Sequence, residues 1–239
     1  MDLQGSCGLV TGAIMMCIVV IAVTRLHTKA ENDTEPDKRD GLIPKSPGRG
    51  GSRALAVFWI IALISNGTGL ALRGTLLNVF PDFGKDVLKY SPMEWGILLG
   101  SAYLARTLAF VYWQRRHAWE YRADYFFGVQ ALLPVAALIL IFNSNYWIFL
   151  LAFMLTGVGL SLTYFASIFY SMDSADSHQH RSGIHEAVGG VGLSLPLVSG
   201  VLASQTKSYR APYMFLFALL TLAMGVQAVM YLRSRKANR

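Results

Sequence analysis

The sequence predicts an all-α membrane protein with seven transmembrane helices, and two observations carry that reading. Of 239 residues, 54% are hydrophobic and 15% charged, whereas a soluble domain carries about a quarter charged residues. Mean hydropathy is +0.41. The charges are also clustered. They leave seven stretches almost bare, near the length of about 20 residues that a helix needs to cross a bilayer.

In chain order the stretches are Leu9–Val23, Ala54–Asn78, Met93–Trp113, Tyr125–Phe142, Trp147–Tyr170, Ile184–Ala203 and Pro212–Leu232. The first is the shortest. "MDLQGSC" before it holds no basic residue, and no small-x-small site precedes Arg25, so it reads as an uncleaved span and not a signal peptide. Loop charge orients the whole. The loops on the side of Arg25 carry fifteen Lys and Arg, the opposite set four. Basic loops stay cytoplasmic, which places the amino terminus outside and the carboxyl terminus inside. That asymmetry accounts for the net charge of +7 without nucleic acid. Cys7 and Cys17 lie ten residues apart on one helix, roughly 15 Å along the axis. That is too far for a disulfide.

Between the first span and the next six lies "RLHTKAENDTEPDKRDGLIPKSPGRGGSR", Arg25 to Arg53. It is polar, rich in Pro and Gly, and charged with both signs, which reads as a flexible cytoplasmic linker. The expected division is thus 1–24 as one helix, 25–53 as linker and 54–239 as a six-helix domain.

Within the six, polar and small residues fall into stripes. Asn66, Gly69 and Arg73 share a face of the second span, and Gly96, Gly100, Tyr103 and Thr107 a face of the third, with Arg106 a turn from Tyr103. The fifth carries Thr156, Thr163, Ser167 and Tyr170, and the sixth Gly183, Ala187, Gly190 and Ser194. In lipid such stripes mean close helix packing or a lined cavity. The fourth and seventh spans are nearly all apolar, with Gln130 and Gln227 the main exceptions. Four helices are therefore expected to face inward and two to lie outside them. Asn66-Gly67-Thr68-Gly69 is expected to weaken its helix mid-span, and Pro134 and Pro196 to bend theirs.

"RSGIHEAVGGVGLSLPLVSG", Arg181 to Gly200, invites sharper readings that its spacing refuses. A P-loop or dinucleotide site needs glycines at fixed intervals after a strand. A zincin needs a second His where Gly189 stands. Asp173, Asp176, His178, His180, His185 and Glu186 gather metal-ligand chemistry. They read instead as a polar cytoplasmic loop, with Glu186 favourably placed at a helix amino terminus. No metal or other cofactor is expected, and no nucleophile–base pair points to an enzyme.

The intramembrane arginines carry more weight. Arg at a bilayer centre costs about 2.5–3.5 kcal/mol on the most lenient scale, so it faces a cavity or a partner. Arg106 lies well within its span, whereas Arg73 sits near an end and can reach toward the interface. No Asp or Glu lies deep within any of the seven spans. The candidate cavity lining is Asn66, Arg73, Tyr103, Arg106, Thr107, Thr163 and Ser194.

Six spans after a long basic cytoplasmic loop resemble the carboxyl-terminal half of a major facilitator superfamily (MFS) transporter. The lone first span is similar to the sixth helix of that twelve-helix fold, and Arg25–Arg53 to its central loop. "RSGIHEAVGGVGLSLPLVSG" looks like the eleventh helix of prokaryotic members. "VYWQRRHAWEYR" stands where the superfamily's loop motif recurs, keeping Arg115 and Arg116 but with Gln114 for the usual Asp. The resemblance implies an MFS-like six-helix half-bundle plus one preceding helix. It further implies transport of a small polar or anionic solute across a prokaryotic inner membrane. Arg115, Arg116, Arg181 and Glu186 become loop residues of its conformational machinery. The family's first five helices have no counterpart here, so the expected partners are the lipid bilayer and a second membrane chain or a second copy. Two other readings differ in class. A non-transporting MFS-like scaffold subunit of a membrane complex fits the altered loop motif. A seven-helix receptor fits the topology but lacks a Lys in the last span, an Asp-Arg-Tyr after the third and an Asn-Pro-x-x-Tyr in the seventh.

Overall fold

The computed structural model describes residues 52–116, 119–172 and 178–237. The first span with Cys7 and Cys17, nearly all of the linker, and Asp173 and Asp176 lie outside them. The described chain is helical throughout, and six of its helical stretches are long and apolar enough to cross a membrane. They comprise α1 (Ser52–Asn78), α2 (Pro92–Arg115), α3 and α4 (Ala123–Gln130 and Leu132–Phe142), α5 (Tyr146–Met172), α6 and α7 (His178–Ser194 and Pro196–Thr206) and α8 (Ala211–Ala237). Each matches one of the six expected spans.

Local chemistry sets the boundaries. Ser91 caps α2 with a capping box. Its hydroxyl accepts from the Glu94 amide at 3.3 Å while its own amide donates to the Glu94 carboxylate at 2.8 Å. Pro134 and Pro196 interrupt their spans as expected, at Ala131 and at Leu195. A proline removes one backbone donor and crowds the preceding turn. Two expectations need correction. α1 is continuous through Asn66–Gly69, because its glycines serve close packing: Gly67 lies against Val188 and Gly69 against Leu160 and Leu133. The span also does not stop at Asn78. A short turn, Phe80–Asp82, and a π-helical turn, Phe83–Val87, prolong it. There Tyr209 donates to the Asp86 carboxylate at 2.9 Å, which holds the phenol above its usual range.

α1 and α5 form the spine of the bundle. Of their most apolar stretch, 67% and 56% is buried, against 17% for α2 and 22% for α6–α7 and for α8. The most extensive contact joins α2 to α5, while α4 and α8 pack together behind the spine. Two apolar clusters fill the interior. One holds Phe80, Phe83, Phe149, Phe153 and Tyr213, the other Phe58, Trp59, Trp113, Trp119 and Tyr170. Between them in sequence register lies a buried polar layer of Ser65, Asn66, Gln130 and Gln227. The two nearly apolar spans therefore turn their single glutamines inward. Ser65 Oγ is within 3.2 Å of Gln227 Oε1.

Lipid is as apolar as leucine, so packing and hydrogen bonds hold such helices together. The indole of Trp113 donates to Ser161 at 2.8 Å, that of Trp59 to Ser171 at 3.0 Å, and Thr75 to Ser199 at 2.9 Å. The stripes of α2 and α6 behave differently. Gly96, Gly100, Gly183 and Gly190 have no atom within 4 Å of where a side chain would begin. They face the open side of the bundle.

Candidate functional site

Arg106 is placed by the backbone beneath it. Gly157 of α5 lies so close to the carbonyl of Ala102 that a Cβ there would collide with it, and would stand 3.0 Å from the Arg106 amide. α2 and α5 therefore touch backbone to backbone at this level. The guanidinium carbon of Arg106 rests 5.3 Å from the ring centre of Phe110, one turn along α2, and 5.2 Å from that of Tyr164 on α5. Both distances suit a cation held over aromatic faces.

Arg73 reaches the same place from α1. Its guanidinium donates to the Tyr103 hydroxyl at 3.2 Å and lies 5.7 Å from that ring's centre. Arg73, Tyr103, Arg106, Thr156 and Gly157 line one pocket. The Nε atoms of both arginines are buried and make no hydrogen bond among the described residues. Elsewhere in the bundle Arg122 pairs with Asp124 at 2.6 Å and His185 lies 3.9 Å from Glu186. Neither involves Arg73 or Arg106. Two cations thus share one pocket without a carboxylate partner among the described residues.

Six helical stretches long and apolar enough to cross a membrane make this a membrane protein. Comparison with protein families goes further: residues 7–194 match the model described as MFS/sugar transport protein. The chain belongs to that family. Comparison with curated proteins and with solved structures found no match. The MFS match covers the first span and the linker, and it ends with α6 at Ser194. Members of the family are transporters and not enzymes, and this chain is an integral membrane protein of that type.

The other sequence-predicted residues of this MFS chain fall into three groups. Asn66 is fully buried on α1, and neither end of its amide has a partner among the described residues. Thr163 is buried on α5 and bonded to the Leu160 carbonyl at 3.3 Å, and Ser194 bonds the Val191 carbonyl at 2.8 Å. Thr107 lies on the exposed face of α2, outside the pocket. Of the seven candidates, the pocket joins Arg73, Tyr103 and Arg106. Among the loop residues, Arg115 and Arg116 are exposed at the end of α2. Arg181 lies 4.8 Å over the Trp59 ring, and Glu186 is exposed beside His185.

Sequence reasoning missed the cradle of Arg106. Phe110 is legible as its i+4 neighbour, where helical side chains meet, but Tyr164 is 58 positions away and only the fold brings it in. His185, read from the sequence as part of a polar loop, is instead interior. This residue is 3% exposed, its Nδ1 is 2.9 Å from Ser167 Oγ, and its ring centre is 5.2 Å from that of Tyr164. No group of three or more His, Cys, Asp and Glu forms a metal cage among the described residues.

Proposed function

We propose that the chain supplies one helical half of a secondary transporter for a small solute bearing an anionic group. The solute's carboxylate or phosphate binds between Arg73 and Arg106, with Tyr103 and Thr156 as neutral hydrogen-bonding neighbours. The carrying observation is the convergence of two guanidiniums with buried, unpartnered Nε atoms. Arginine's planar fork matches such anions at two points. Asn66, buried with a free donor and acceptor, supports a further polar contact on α1. The proposal places the amino terminus outside a prokaryotic inner membrane, on the loop-charge asymmetry. It pairs the open side of α2 and α6 with a second membrane chain or a second copy. A half-bundle leaving Arg106 toward lipid is unfavourable.

The test is uptake into vesicles from cells expressing the chain, against a panel of sugar acids, sugar phosphates and neutral sugars. Competition by anionic members, lost in Arg106→Gln, supports the proposal. Uptake of neutral sugars alone, indifferent to Arg106→Gln, contradicts it.

A further inference from the structure

The described residues hold one buried histidine among the six spans, and the anion pocket does not account for it. We propose that His185 is a proton-binding site within the membrane, its charge coupled across Tyr164 to Arg106. The Ser167 hydroxyl lies between two partners, the Tyr164 carbonyl at 2.8 Å and His185 Nδ1 at 2.9 Å. A hydroxyl has one proton. Given to the carbonyl, it leaves Ser167 Oγ to accept from Nδ1–H. That fixes the tautomer, as a partner on one ring nitrogen does. Nε2 is then the basic nitrogen, 3.9 Å from the Glu186 carboxylate. Glu186 is exposed on the open side of α6 while His185 is buried, so the pair joins that side to the interior. A proton adds at Nε2; the Nδ1–H bond to Ser167 stays, and no other bond changes.

The surroundings limit what else can influence that proton. On its own helix, Glu186 is adjacent and Arg181 lies one turn earlier over Trp59. α5 presents Ser167 and Tyr164. α1, the other helix packed on α6, carries Arg53 at its start, no titratable residue from Leu55 to Leu72, and then Arg73. The Tyr164 ring is 5.2 Å from the His185 ring and also 5.2 Å from the Arg106 guanidinium. Charges about 10 Å apart couple by roughly tenfold at an effective dielectric of about 20. An anion that neutralises the Arg106 charge therefore favours proton uptake at His185, and the reverse holds by linkage. Solute and proton would travel together, with no intramembrane carboxylate needed. The transport meaning rests on the anion-site proposal, whereas the proton site can be measured without any solute.

The experiment is a pH titration of the full chain in lipid nanodiscs with nitrogen-15-labelled histidine, followed by NMR. His185→Gln identifies the signal among the chain's five histidines. The expected result is an Nε2 signal that gains a proton as the pH is lowered while Nδ1 keeps its own. At a fixed pH, Arg106→Gln should raise the ratio of charged to neutral imidazole about tenfold, and Arg106→Lys should leave it within about twofold. A His185 that stays neutral across the range overturns the proposal in the wild type alone. An equal ratio in wild type and Arg106→Gln overturns the coupling. Neither outcome depends on which solute is carried, so failure of the vesicle competition is read separately.

Discussion

Gly157 and Ala102 meet with no room for a side chain between them, and this contact sets the depth at which α2 carries Arg106 against α5. Overpacking such a site costs about 1–3 kcal/mol. Gly157→Ala should lower the thermal midpoint of the purified chain and impair uptake. Gly96→Ala, on the same helix as Arg106 but with open space around it, should stay within about 0.5 kcal/mol of wild type. Equal melting of the two variants would mean that the backbone contact does not position the helix.

The buried Trp113 indole donates to the Ser161 hydroxyl at 2.8 Å. Ser161→Ala leaves a buried N–H unpaired, at a cost of about 1–3 kcal/mol. Thermal unfolding should show the loss. Trp113→Phe in the Ser161→Ala background should recover part of it by removing the orphaned donor. A wild-type midpoint in Ser161→Ala would show that the bond carries no stability.

Orientation follows from loop charge alone, so it is tested outside the described residues. Ser46→Cys, in a chain whose own cysteines are replaced, should react with an impermeant thiol reagent only after the cytoplasmic face is opened. Reaction in intact cells would invert the topology.

α2 is the least buried span, and Tyr103, Leu104, Thr107 and Leu108 line its exposed side. If a partner half covers that side, Thr107→Cys should cross-link to a second membrane chain or a second copy in native membranes. A monodisperse monomer in native lipid, with undiminished thermal stability, would contradict the paired arrangement.

The spans were legible because the bilayer imposes length and apolarity on each helix. Pro134 and Pro196 were legible as breaks because proline acts on its own turn. Arg73, Tyr103 and Arg106 were found because a buried cation is conspicuous in lipid. What sequence could not supply was distance between helices. Asn66-Gly67-Thr68-Gly69 reads locally as a weak point, yet those glycines admit neighbouring helices and the helix runs on. Thr107 shares a periodic stripe with Tyr103 on the exposed side of α2, but the pocket takes in Tyr103 and not Thr107. His185 looked like part of a solvated loop. Only its position opposite Ser167 and Tyr164 shows that it is interior.

Arg106 carries the account, and one comparison tests it most directly: uptake by wild type and Arg106→Lys, normalised to the amount of assembled protein in the membrane. Lysine keeps the charge and loses the two-point grip on an anion. Arg106→Lys should assemble normally with uptake reduced at least about tenfold, the scale of one lost charge-assisted hydrogen bond of about 1.5–3 kcal/mol. Unchanged uptake in Arg106→Lys would contradict it. So would a wild-type chain that assembles with partners but moves no solute, with Arg106→Ala merely lowering the yield of complex. Arg106 would then be a structural pin in a scaffold subunit.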